Sequence, residues 1–251
     1  MSLNGTGTST IRTYLVRGLL AGLIAGVLTF VAAYAFGEQS VDAAISVEEG
    51  GHTGQGAEEP VSRQVQSTWG LATGTVAMGL ALGGILGLAT AFGQGRLGRL
   101  RPREVAVTLA GIGFVAVCLV PFVKYPANPP AVGQADTIGQ RTAMYMGLLA
   151  ISVGAAILAV VLRQRLARTV DGFVATLLAG AAFVVLAGLA IWLFPAINEV
   201  PADFPATLLF SFRRASVFTQ FVLWSTLGVS LALLLSAVSG RVTRHREALG
   251  A

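Results

Sequence analysis

The chain has 251 residues, 54% of them hydrophobic and 12% charged, with a formal net charge of +5 and a mean hydropathy of +0.73. A soluble domain carries about 25% charged residues, so this chain lacks the polar side chains needed to coat a soluble core of its size, and lipid suits the surplus apolar surface better. The basic balance is a matter of loop charge, described below, and gives no reason to invoke nucleic acid.

Six stretches contain no Asp, Glu, Lys or Arg: 18–36, 69–92, 105–123, 143–162, 173–194 and 217–238. Each is about the length a helix needs to cross a bilayer core of roughly 30 Å. Only helices and closed barrels satisfy their backbone in lipid, and these runs lack the alternation of barrel strands. The chain is therefore expected to be an all-α integral membrane protein of six transmembrane helices, one polytopic domain over 1–251. Arg12 and Arg17 precede the first run, as they would in a signal peptide. The run is longer than the roughly 7–15 apolar residues of such a peptide, and Gly37-Glu38-Gln39-Ser40 is a poor cleavage site, so it reads as a retained helix.

Small residues mark the first two runs. Gly18, Gly22 and Gly26 form a stripe on the first, and Gly70 with Gly74, and Gly79 with Gly83 and Gly87, repeat the spacing on the second. Such spacing lets helices approach closely. Cys118, the single cysteine, falls in the third run and reads as a small packed hydrophobe.

The connections divide by charge. The N-terminus, the loops after the second and fourth runs, and the C-terminus hold 12 of the 17 Lys and Arg residues. The other set holds Arg63, Lys124, Arg141, Arg213 and Arg214, but 9 of the 12 acids. Basic residues accumulate on the cytoplasmic side, so both termini are expected inside, with a basic tail over 239–251 and an acidic outer face. The inner Arg clusters suit contact with anionic headgroups of the bilayer.

The three outer connections carry the remaining signals. The first, 37–62, is acidic and Gly-rich around 50–56, and is expected to be a flexible loop. The second contains Lys124-Tyr125-Pro126-Ala127-Asn128-Pro129-Pro130, and the third Asn198-Glu199-Val200-Pro201-Ala202-Asp203-Phe204-Pro205. Pro121 with Pro126-Ala127-Asn128-Pro129 resembles Pro195 with Pro201-Ala202-Asp203-Phe204-Pro205. Arg63, Arg141 and Arg214 each stand near the start of the next helix. The pattern fits three tandem helical hairpins, and equally fits ordinary Pro-rich loops with interfacial arginines. As hairpins, they would bring Arg63, Arg141 and Arg214, with Asn128, Asn198 and Gln220, around the mouth of a path.

Glu38 and Asp42 are spaced i, i+4, and Glu49 joins their face if the helix continues past Gly37. With Glu199 and Asp203 they make a candidate metal-gathering set, since carboxylate oxygen suits divalent cations. The alternative is a solvated acidic surface. His52 lies in the Gly-rich segment and His245 in the basic tail, without a second histidine at ligand spacing. No CxxC, Walker A or nucleophile–base pairing is present, which points away from an enzyme and from a permanently bound cofactor. The spans hold no ionisable carboxylate, Lys or Arg, so a path through them would use softer groups such as Met78, Met144, Met146, Ser216 and Gln220.

Arg17-Gly18-Leu19-Leu20-Ala21-Gly22-Leu23-Ile24-Ala25-Gly26 and Glu38-Gln39-Ser40-Val41-Asp42-Ala43-Ala44-Ile45 resemble the opening of the CbtA family, predicted cobalt transporter subunits. The likeness continues through 119–130, 195–201 and 212–216. It implies Co2+ as substrate, uptake in support of cobalamin synthesis, a bacterial cytoplasmic membrane location and a small single-span, His-bearing partner resembling CbtB. A homo-oligomer is also compatible. The family is described with five spans, whereas the runs here number six. A non-transporting scaffold or assembly subunit is the competing reading, favoured by charge-free spans and small-residue helix faces.

Overall fold

The computed structural model describes residues 5–51, 62–130 and 132–249, and side-chain surroundings for 11–49, 62–130 and 132–236. Among the described residues there are helices and no strands. They are α1 (Gly5–Phe36), α2 (Glu38–Gly51), α3 (Arg63–Gly93), α4 (Pro102–Lys124), α5 (Ile138–Leu166), α6 (Gly172–Leu193) and α7 (Ala206–Leu249). All but α2 are long and apolar enough to cross a membrane, six in number as the charge-free runs require.

Local chemistry sets the helix ends. Pro102 occupies the first turn of α4, where its missing N–H costs nothing, and the Glu104 carboxylate accepts from Arg101 N at 2.9 Å. Asp171 caps α6 by accepting from Phe173 N at 2.8 Å. Arg163 and Arg165 end α5, where cations meet the negative end of the helix dipole. Between α3 and α4 the chain turns through Gly95 and Gly98 at φ +73° and +84°, which favour glycine. Within α4 the backbone widens to a π-helical stretch over Phe114–Leu119, which ends two residues before Pro121, a residue with no N–H to give.

The first connection differs from expectation. Instead of a flexible loop from residue 37, helix α2 occupies Glu38–Gly51, separated from α1 by Gly37 alone. Ser40 and Ala44, one turn apart, are buried. That short stripe gives the segment a face to pack, which its acidic composition conceals. His52, Glu58, Glu59 and the rest of the Gly-rich stretch lie outside the described residues, as do His245 and the other side chains of the 239–251 tail.

One polytopic domain was expected, and the chain's close contacts fall into two compact units. The first comprises Met1–Val31, Trp69–Ile112 and Phe221–Ala251, the second Ala32–Thr68 and Gly113–Gln220. Within the first, α1 and α3 meet backbone to backbone. A Cβ at Gly26 would stand 2.7 Å from Val76 Cα, and one at Gly83 2.6 Å from Gly22 Cα. The stripes at 18, 22, 26 and 79, 83, 87 thus act as the spacing predicts, whereas Gly74 faces open space. On α7, Leu223, Leu227, Leu231 and Leu235 repeat every fourth residue and are buried.

Within the second unit, α5 packs along α6. The buried residues are Leu148, Ser152, Ala155 and Ala156 on one helix and Ala175, Ala179, Ala187 and Ala190 on the other. Across the described residues, 14 of the 25 buried apolar residues are alanines. Many of the large apolar side chains face outward: Trp192 is 77% exposed, Trp69 73% and Phe173 71%. Small residues inside and large apolar ones outside is the arrangement of helices packed in lipid, where burial of bulk gives no hydrophobic gain.

Candidate functional site

Two charged constellations and one cavity lie in the second unit. The first constellation begins with α2, whose first turn carries Glu38 and whose second carries Asp42, on one face by their spacing. Arg63, at the start of α3, donates from Nη2 to Glu38 Oε2 and from Nε to Asp42 Oδ1, the latter at 2.9 Å. One guanidinium therefore serves two carboxylates, leaving a net charge of about −1. The Glu38 side chain is 14% exposed and that of Asp42 60% exposed. Glu49, expected on the same face, is exposed and is not joined to Arg63.

The second constellation centres on Glu199. Its Oε1 accepts from the Thr137 hydroxyl at 2.6 Å, its Oε2 from Gln134 N at 2.9 Å, and Arg141 Nη1 lies 3.3 Å away. The Thr137 hydroxyl, then the Gln134 N–H, then the Arg141 charge hold this carboxyl below the usual carboxylate range. Arg141 is itself held. Its Nη2 donates to Gln134 O at 3.1 Å, and its Nε is buried without a hydrogen-bond partner. The guanidinium lies against Gly133, whose φ is +125°, and a Cβ there would sit 3.0 Å from Arg141 Cζ. Glycine at 133 thus makes the room that Arg141 occupies. The sequence offered no periodic signal for it.

Beside this latch is a cavity of ≈ 470 Å³, with Tyr125, Asn128, Arg141, Tyr145, Asn198 and Arg213 among its lining residues. Arg213 donates from Nε to Ala127 O at 3.3 Å and from Nη2 to Asn128 Oδ1 at 3.0 Å. The Tyr125 hydroxyl donates to Pro195 O at 2.9 Å, and burial pushes its pKa above the ordinary phenol value. The second and third connections, whose Pro-rich motifs look alike in sequence, are thus tied together by Tyr125, Thr137 and Arg141.

Of the residues expected around a mouth, Asn128, Asn198 and Arg141 line this cavity, and Met146 joins them. Arg63, Arg214 and Gln220 do not. Arg214 stacks over Phe210, 5.9 Å from the ring centroid. Its neighbour Arg213 takes the lining role, because α7 already begins at Ala206 and two successive helical residues point about 100° apart. Of the softer groups, Met78 is exposed on the first unit. Among the five acids expected to gather metal, Glu38 and Asp42 meet at Arg63, Glu199 stands in the separate latch, and Glu49 and Asp203 are exposed. Among the described residues no three His, Cys, Asp or Glu side chains come together as a metal-holding group.

Comparison with protein families gives a match over residues 11–236 to CbtA, described as "Probable cobalt transporter subunit". Neither the curated proteins nor the solved structures give a match.

Proposed function

Because the chain belongs to the CbtA family, we propose that it is the membrane subunit of a Co2+ uptake transporter that supports cobalamin synthesis. Family membership together with six spanning-type helices makes it a multi-pass membrane protein and a transporter subunit. The single observation that carries the proposal is the family match across almost all of the six helices. In the reading that follows, the membrane is the bacterial cytoplasmic membrane, both termini are inside, and the partner is a small single-span subunit bearing histidines.

The acids act in this reading by field rather than by ligation. Glu38 and Asp42 with Arg63 keep a net negative charge, and exposed Glu49 and Asp203 add to it at the ends of their segments. Unpaired surface charges raise the local concentration of a divalent cation within about a Debye length, roughly 8 Å at physiological salt. Glu199 contributes least, since its oxygens are already engaged by Thr137, Gln134 and Arg141. The histidines of the partner supply the ligands that the described residues of this chain do not assemble.

Uptake of radioactive cobalt into cells expressing the chain, with and without the small partner, tests the proposal. Glu38→Gln with Asp42→Asn is expected to lower uptake at limiting cobalt, and Arg63→Gln, which frees both acids, to raise it. Uptake that does not depend on the chain sinks the transport reading. The charge-free spans and alanine-lined helix contacts favour a second reading, a scaffold that assembles the transporter without conducting metal. That reading expects a stable complex with the partner and uptake insensitive to all three substitutions.

A further inference from the structure

We propose that the cavity beside the Arg141–Glu199 latch is a binding site for a small oxyanion of the carboxylate or phosphate class, and not a cation site. The argument is the sign of its polar groups. Among the described residues, no Asp or Glu lines it, while two arginines do. Glu199 neutralises Arg141. Arg213 is hydrogen-bonded to neutral acceptors, the Ala127 carbonyl and the Asn128 amide oxygen, and among the described residues no carboxylate answers its positive charge.

The two amides point the same way. Asn128 Oδ1 accepts from Arg213, and Asn198 Oδ1 accepts from Val200 N at 3.4 Å. Both donors are incapable of accepting, so these contacts fix which end of each amide is the oxygen. With one lone pair of each oxygen engaged by the protein, each amide retains its –NH2, which donates two hydrogen bonds, beside one remaining acceptor site. Thr142 and Tyr145 add hydroxyls to the lining. A hard divalent cation asks for six or more oxygen ligands, carboxylates foremost, and among the described residues the lining offers no carboxylate. A compact anion finds donors and one net positive charge, in a space ample for a phosphate or a small carboxylate. The inference stands apart from cobalt transport, because it uses none of Glu38, Asp42 or Arg63.

Isothermal titration calorimetry on the full chain in neutral detergent tests it, with citrate and inorganic phosphate as probes. Saturable binding is expected that weakens with added chloride salt. Arg213→Gln keeps hydrogen-bond capacity but removes the charge, and Asn198→Asp replaces donors by a negative acceptor. Each is expected to weaken binding about tenfold or more, the scale of one charge-assisted hydrogen bond. Arg213→Lys is expected to restore part of the loss of Arg213→Gln. If Arg213→Gln does not fold, as judged by size exclusion and circular dichroism, Asn198→Asp decides alone. A second arm repeats the titration in nanodiscs of zwitterionic lipid with and without phosphatidylglycerol. Competition by that lipid assigns the oxyanion to a headgroup phosphate, and its absence assigns it to a free solute. No saturable binding in either setting, or binding unchanged in the folded variants, overturns the proposal.

Discussion

Replacing Gly83 by alanine puts a methyl group into the seam where α1 and α3 touch through their backbones. The new Cβ would stand 2.6 Å from Gly22 Cα and 2.8 Å from Gly22 N. Ordinary carbon contacts are about 3.5–4.0 Å, so the two helices must part by roughly 1 Å. Overpacking of this kind costs about 1–3 kcal/mol. Alanine also gains up to about 1 kcal/mol of helix propensity over glycine, which would blur the result if Gly83→Ala were measured alone. Gly74→Ala removes that ambiguity. It lies on the same helix with nothing within 4 Å of the place its new methyl would take, so it has the propensity gain without the clash. The difference between the two variants is then the overpacking cost by itself. Thermal unfolding of the detergent-solubilised chain, followed by tryptophan fluorescence, reads it. At about 2–4 °C per kcal/mol, Gly83→Ala should melt roughly 2–12 °C below Gly74→Ala. Equal melting temperatures would refute the backbone-contact seam and the close-packing role of both glycine stripes.

Thr137→Val removes the donor that does most to hold the Glu199 carboxyl low, so its titration, followed by carboxyl-carbon NMR, should move upward. Because the folded-state value is depressed, the stability Glu199 lends is present above the ordinary carboxylate pKa of about 4.3 and is lost as pH falls through the lowered folded value. Glu199→Gln should therefore melt below the unsubstituted protein at pH 7, with the gap closing only in strong acid; a gap that is constant with pH contradicts the ionic role. Tyr125→Phe deletes the bond to Pro195 O and should cost about 1 kcal/mol in chemical unfolding. Gly133→Ala forces a side chain into a positive-φ position against Arg141 and should cost about 1–3 kcal/mol, whereas Gly139→Ala, which meets open space, should not destabilise.

The spans were legible because lipid imposes a length and a charge rule that composition alone displays, and every one of the six runs falls on a helix. The glycine stripes on α1 and α3 were legible too, since a four-residue spacing is a packing signal whatever the partner. Helix α2 was not, because its face is only Ser40 and Ala44, too short for periodicity to rise above the polar and acidic residues around it. Glu38 and Asp42 were rightly seen as neighbours from their spacing, but Arg63 as their shared partner is a tertiary fact, 25 and 21 residues away. The cavity was half legible. Repeated Pro-rich motifs singled out Asn128 and Asn198, yet Arg213 could be told from Arg214 only once the start of α7 was known.

The latch also bears on how the chain is made. Arg63 and Arg213 both find partners that lie earlier in the sequence and have already been synthesised: Glu38 and Asp42 for one, Ala127 and Asn128 for the other. The start of α5 is different, because Thr137 must wait for a carboxylate that follows 62 residues later, beyond the whole of α6. At about 5–20 residues per second, that is a delay of roughly 3–12 s in which Arg141 and Thr137 have no Glu199. The latch that joins the segment before α5 to the segment after α6 therefore cannot close until both helices and Glu199 have been synthesised.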